Sequence, residues 1–152
     1  MKMYDQHVID WMSHEVHGAT MQYLHPAYRD SRNCTVRALS DALGIHLISA
    51  YVLMREQGRK HGRGVYPNDT AQYYRNIADQ LGYQYSQLAN IDAWRDYGKT
   101  IVTAQRALAK HQRVVFSVSG HVIGFHNAET SDWANKRRHH IHGAHIFRQQ
   151  AA

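Results

Sequence analysis

The sequence has a single cysteine, Cys34, in a chain of 152 residues that carries thirteen histidines. A lone cysteine forms no intramolecular disulfide, so nothing asks for an oxidising compartment. No stretch reaches the roughly 18 apolar residues of a membrane-spanning helix. The opening MKMYDQHVIDWMSHEVHG is interrupted by Asp, Glu and His, unlike a signal peptide. These absences predict a cytoplasmic protein with no membrane partner. Internal repeats, low-complexity tracts and linkers are missing too, which leaves one domain over 1–152, with 1–28 a lead-in in which Ile9, Met12 and Val16 have rough helical spacing.

Acidic residues are outnumbered: twelve Asp and Glu face eighteen Lys and Arg, for a net charge of +6. A basic balance suits nucleic acid, an acidic protein or an anionic surface. The charge is dispersed, apart from GRKHGRG at 58–64 and NKRRHH at 135–140. Neither cluster has the spaced aromatics of a base-stacking platform, so nucleic acid is a possible partner but not the favoured one.

From Cys34 onward the hydrophobic periodicity is legible. Val36, Leu39 and Leu43 form one stripe with Gly44 as its stop, which predicts a helix starting near Asn33 or Cys34. Further helices are expected over Ser49–Gln57, from a cap at Asn68 or Asp69 to Gly82, and around Val102–Lys110. The period then changes from helical to alternating. RVVFSV (113–118), HVIGFH (121–126) and HHIHGAHIF (139–147) read as strands, with turns at Ser119-Gly120 and 127–130. Helices followed by an antiparallel meander make the fold class α+β.

Cys34 falls in the first turn of its helix. There the unpaired N–H groups and the macrodipole favour a thiolate, although a free cysteine also packs well as a small apolar residue. A thiolate nucleophile needs a base, and the base needs an orienting group. Among the histidines, His121 opens a strand whose alternation places it with Ile123 and Phe125. Asp132, about one hairpin later, is the candidate third member, with Asn135 as the fallback and Trp133 as an apolar wall over the His–Asp hydrogen bond.

A cysteine opening a helix, then an SGH strand, then an acidic residue beside a tryptophan resembles the papain-like fold cysteine peptidases in their compact bacterial and phage-type forms. NCTVRALSDALGI is similar to the nucleophile helix of small phage proteins of this kind, and SGHVIGFHNAETSDWANKRRHHI to their histidine hairpin. The resemblance spans roughly residues 29–147. It implies a Cys34–His121–Asp132 triad on a helix packed against a small antiparallel sheet, acting on an amide or peptide bond of a peptide or protein without a cofactor. The family pattern also has a glutamine several residues before the cysteine to help hold the oxyanion. The run YRDSRN has none. That role passes to the Cys34 N–H with Asn33 or Arg29, while Asp30 is placed to tie down the loop.

Two rival constellations are weaker. His140, His142 and His145 have a spacing that suits zinc but lack a further ligand nearby. GRKHGRG offers backbone amides to a phosphate but lacks the Gly-Lys-Ser/Thr ending of a P-loop. The contrasting function class is a non-catalytic basic module that binds a host protein or nucleic acid through its Arg, Lys and His clusters, with Cys34 merely packed.

Overall fold

The computed structural model describes residues 25–150, so the expected lead-in helix around Ile9, Met12 and Val16 lies outside the described residues. After a 3-10 turn, Pro26–Arg29, helix α1 spans Cys34–Leu43 and buries Val36, Leu39 and Leu43. Gly44 closes it at φ 65° with its N–H on the Ser40 carbonyl, a left-handed stop that glycine adopts without a Cβ penalty.

Helix α2, Leu47–Glu56, starts earlier than the apolar pattern suggests, because the His46 ring caps it, Nδ1 accepting the Ile48 N–H at 3.1 Å. Helix α3, Pro67–Leu81, also starts earlier than expected. Asn68 and Asp69 are not its cap. Pro67 takes the first helical position, where a missing N–H is harmless, and Tyr66 stands at the cap.

Strand β1 (Tyr83–Ala89) and helix α4 (Asn90–Tyr97) follow, neither of which the sequence pattern reveals. Helix α5 is Ile101–Ala107, capped by Thr100. Strands β2 (Arg113–Val118) and β3 (His121–His126) match the expected bounds, whereas β4 is Gly143–Gln149. The His-rich start of the expected last strand is instead an anchor. Ile141 is fully buried, its N–H donating to the Lys99 carbonyl and its carbonyl accepting from Trp94 Nε1 at 2.6 Å.

The four strands form one antiparallel sheet in the order β1-β4-β2-β3. This is α+β, but two expectations need correcting. The helices do not all precede the sheet, and the strands are not a meander. β4 pairs with β1 on one side and β2 on the other, which leaves β3 at the sheet's edge, and a tight turn after β3 pairs His126 with Glu129. Helices cover both faces. One core holds α1, α2 and α3 against Val115 and Phe147; the other holds α4 and α5 against Val114, Phe116, Ile123, Phe125 and Ile146. Among the described residues no single helix is long and apolar enough to cross a membrane; α1 and α2 pass only as a pair bent by 120°.

The contact that positions the rest is α1 on β3. A Cβ at Gly124 would run into the backbone carbonyl of Ala38, so the strand lies against the helix backbone itself. Further along, the His126 ring meets Gly44 at the helix end. Helix and strand therefore run side by side in the same direction. Ten helical steps at about 1.5 Å cover about 15 Å, close to the roughly 17 Å of five strand steps. Their first residues, Cys34 and His121, are thereby brought to the same end.

Replacing Gly124 by alanine should force α1 off the sheet. Overpacking against an immobile carbonyl costs about 3 kcal/mol, which in a chain of this size lowers the melting temperature by about 10 °C. Thermal unfolding followed by circular dichroism measures it, and an unchanged midpoint would contradict the close approach.

Candidate active site

The residues that the sequence singled out converge around the start of β3. Beyond His126 the chain turns back along the free edge of that strand. It brings Asp132 beside His121, with Nε2 donating to Oδ2 at 2.8 Å. Asp132 is buried, and its other oxygen accepts the Ala134 N–H at 2.9 Å. Both carboxylate oxygens are thus fixed within the fold. Trp133 stacks on the His121 ring at 5.3 Å between centroids and 24° between planes, supplying the wall expected of it, although its own outer face is exposed.

Helix α1 holds this loop as well. Asp41 Oδ2 accepts from the Ser131 N–H at 3.2 Å, the Ser131 hydroxyl at 2.8 Å and the Thr130 hydroxyl at 3.3 Å. Burial raises the Asp41 carboxyl above its ordinary range, and these three hydrogen bonds oppose the rise. The helix that begins with Cys34 therefore also clamps the turn that carries Asp132.

Cys34 is half-buried and lines a cavity of about 420 Å³ with His121, Gln87, Ser117 and His145. The cavity sits at the end of the sheet where β1 and β2 finish and β3 and β4 begin. No hydrogen bond joins Cys34 to His121; the two share the cavity, and His121 Nδ1 is the nitrogen that Asp132 leaves open. Strict alternation assigns His121 to the face of Ile123 and Phe125, opposite α1. As the first residue of an edge strand it nevertheless borders the cavity at the sheet's end.

The expected supporting residues are placed differently. Asn33 is the residue before α1 and makes no capping hydrogen bond; Arg29 is exposed on the 3-10 turn; Asn135 is exposed, its N–H on the Asp132 carbonyl. None of the three lines the cavity. Asp30 does tie down the run YRDSRN. It binds Arg59 Nη1 at 2.5 Å and accepts the Gly62 N–H at 2.6 Å, with both side chains of the ion pair buried. Arg59 also reaches the Ser31 and Arg32 carbonyls at 3.4 Å. The segment ahead of the cysteine is thus set by a buried ion pair.

Two cavity residues were not found by sequence reasoning. Gln87 belongs to β1, a strand with no clear alternation, so no signal pointed to it. His145 was considered only as a zinc ligand. Among the described residues no group of three metal-ligating side chains forms, and His145 is committed elsewhere: Tyr85 Oη lies 2.6 Å from its Nδ1. Burial pushes His145 down to about 4 and Tyr85 up to about 12. At neutral pH both groups are therefore uncharged and share one hydrogen bond. Tyr74 is buried behind these residues, its hydroxyl donating to the Thr35 carbonyl at 2.6 Å and its ring edge-on to His145 at 5.2 Å. Burial, with Cys34 and Tyr85 nearby, raises the Tyr74 phenol well above its ordinary range.

The neutral His145 predicts the direction of acid sensitivity. Unfolded, its imidazole takes a proton near pH 6.5; folded, only near about 4. The unfolded chain then binds more protons in that window, so stability is full above pH 6.5 and declines as the pH falls towards 4. Burial also lowers His46 and His126, which act in the same sense. Urea unfolding should show a loss of about 2 kcal/mol from His145 alone between pH 7 and pH 5. His145→Asn should flatten that dependence, and an unchanged slope would show that the ring is not held neutral.

Compared with known proteins, the chain matches no family model, no curated protein and no solved structure.

Proposed function

We propose that this protein is a cysteine-dependent hydrolase or acyl-transfer enzyme, of papain-like arrangement, acting on an amide or peptide bond in a peptide or protein. Cys34 is the nucleophile, His121 the base and Asp132 the orienting carboxylate. The observation that carries the reading is the His121–Asp132 pair at 2.8 Å on the wall of the cavity that the first residue of α1 also lines. A part-buried His–Asp hydrogen bond of that kind, with the aspartate's second oxygen fixed by a backbone N–H, is more than strand packing requires.

In the proposed reaction His121 Nδ1 takes the Cys34 proton, and Sγ attacks the substrate carbonyl carbon. The new S–C bond places the carbonyl electron pair on oxygen. The Cys34 N–H, one of the unpaired first-turn amides of α1, and the Gln87 side-chain amide are the donors available to it. Collapse breaks the C–N bond, and the amine leaves with the proton held on His121. Water, or a second amine, then attacks the thioester while His121 takes its proton and returns it to sulfur. Asp132 keeps Nε2 protonated, so that Nδ1 is the basic nitrogen throughout, and it offsets the charge that the ring gains.

Alkylation by iodoacetamide across pH tests this assignment. Native Cys34 should keep reacting down to about pH 6, where an ordinary thiol has become slow. His121→Ala should slow it at that pH by about tenfold or more, and Asp132→Asn should lie between the two. An unreactive native cysteine, or a rate indifferent to His121, overturns the triad.

A further inference from the structure

The GRKHGRG segment takes no part in the chemistry just described, yet it forms a second cavity beside it. This space, about 630 Å³, is lined by Arg32, Lys60, Arg63, Tyr66, Asp69 and Tyr73, with Arg59 and Val65 among its remaining walls. Val65 lines the cysteine cavity too, and Arg32 precedes Cys34 by two residues, so the two spaces adjoin across one side chain. Arg59 is already neutralised by Asp30. Arg32, Lys60 and Arg63 are exposed, and among the described residues none of them forms an ion pair; Asp69 is the one carboxylate in the lining. Three cations gathered in a concavity repel one another, and one carboxylate in the lining offsets only part of their charge.

We propose that this cavity is the specificity subsite of the enzyme and that it takes an acidic side chain, glutamate or aspartate, of a peptide substrate on one side of the bond attacked by Cys34. The inference rests on the cysteine-enzyme reading and adds the class of substrate. The wall is rigid where it must be. The Asp30–Arg59 pair and the Gly62 N–H fix the 58–64 loop against the residues leading into α1, so the backbone that carries Lys60 and Arg63 is anchored beside the cysteine helix. Tyr66, 80% exposed, and Tyr73 supply aromatic surface for the neighbouring backbone. An acidic peptide suits the site better than a nucleic acid, because the charges converge in a pocket next to the cysteine instead of tracking along a surface.

The test uses tripeptide chloromethyl ketones that alkylate sulfur with loss of chloride. Matched alanine-based probes carry glutamate, glutamine or lysine at each position in turn, and labelling of Cys34 is followed by mass spectrometry. For at least one position the glutamate probe should react about fivefold or more faster than its glutamine match, with the lysine probe slowest and the difference shrinking as salt rises. The exposed double variant Lys60→Glu/Arg63→Glu should abolish or invert the preference, while iodoacetamide labelling stays at the wild-type rate. Equal glutamate and glutamine rates with labelling still dependent on His121 would overturn the subsite alone and leave the triad standing. Labelling indifferent to His121 would remove the triad and the subsite with it. Salt-sensitive retention on single-stranded DNA, lost in the double variant while probe preference is unaltered, would reassign the cavity to nucleic acid and overturn the proposal.

Discussion

The close approach of Gly124 to the Ala38 carbonyl governs the geometry of this protein. A side chain at that strand position would push helix and sheet apart, and the first residues of the two elements would separate with them. Because α1 and β3 run in the same direction over nearly equal lengths, contact at their middles and at their far ends brings Cys34 and His121 to the same end of the sheet. No local preference of either residue achieves this. It follows from a missing Cβ three residues into one element and one turn into the other.

Two further constraints hang on the same helix. Asp41, near its C-terminal end, collects three hydrogen bonds from the loop that brings back Asp132. At the other end, the residues before Cys34 are pinned by the buried Asp30–Arg59 pair. A buried ion pair of this kind is weak evidence for stability as such, since desolvation offsets much of the attraction. Its effect here is positional. It fixes the chain just ahead of α1 and, through Gly62, the basic loop opposite, so both walls of the approach to the cysteine share one anchor.

Sequence reasoning located the parts of the fold in which one periodicity dominates. RVVFSV and HVIGFH carry β-branched and aromatic residues in strict alternation, and their strands have the expected bounds. α1 has a clean apolar stripe and a glycine stop. YQYSQLA was opaque because β1 is an edge strand whose exposed and half-buried residues follow no binary pattern. The starts of α2 and α3 were displaced because a histidine ring and a proline did the work usually assigned to Ser, Asp or Asn. For the candidate site, the residues able to do chemistry were legible as types at special places: a cysteine opening a helix, a histidine opening a strand, an aspartate one hairpin on. The structure joins His121 to Asp132 and sets Cys34 on the same cavity. Gln87 and the neutral role of His145 were not legible, since both depend on a strand pairing that pattern alone did not disclose.

Two of the three histidines that line the cavity, His121 and His145, stand among very different neighbours. The His121 ring is held by the Asp132 carboxylate through Nε2, which leaves Nδ1 toward the cavity. His145 sits between Tyr74 and Tyr85 with no acid in reach, and burial keeps it neutral. Exposed positive charge lies instead on Arg32, Lys60 and Arg63, across the Val65 wall, where the proposed subsite uses it.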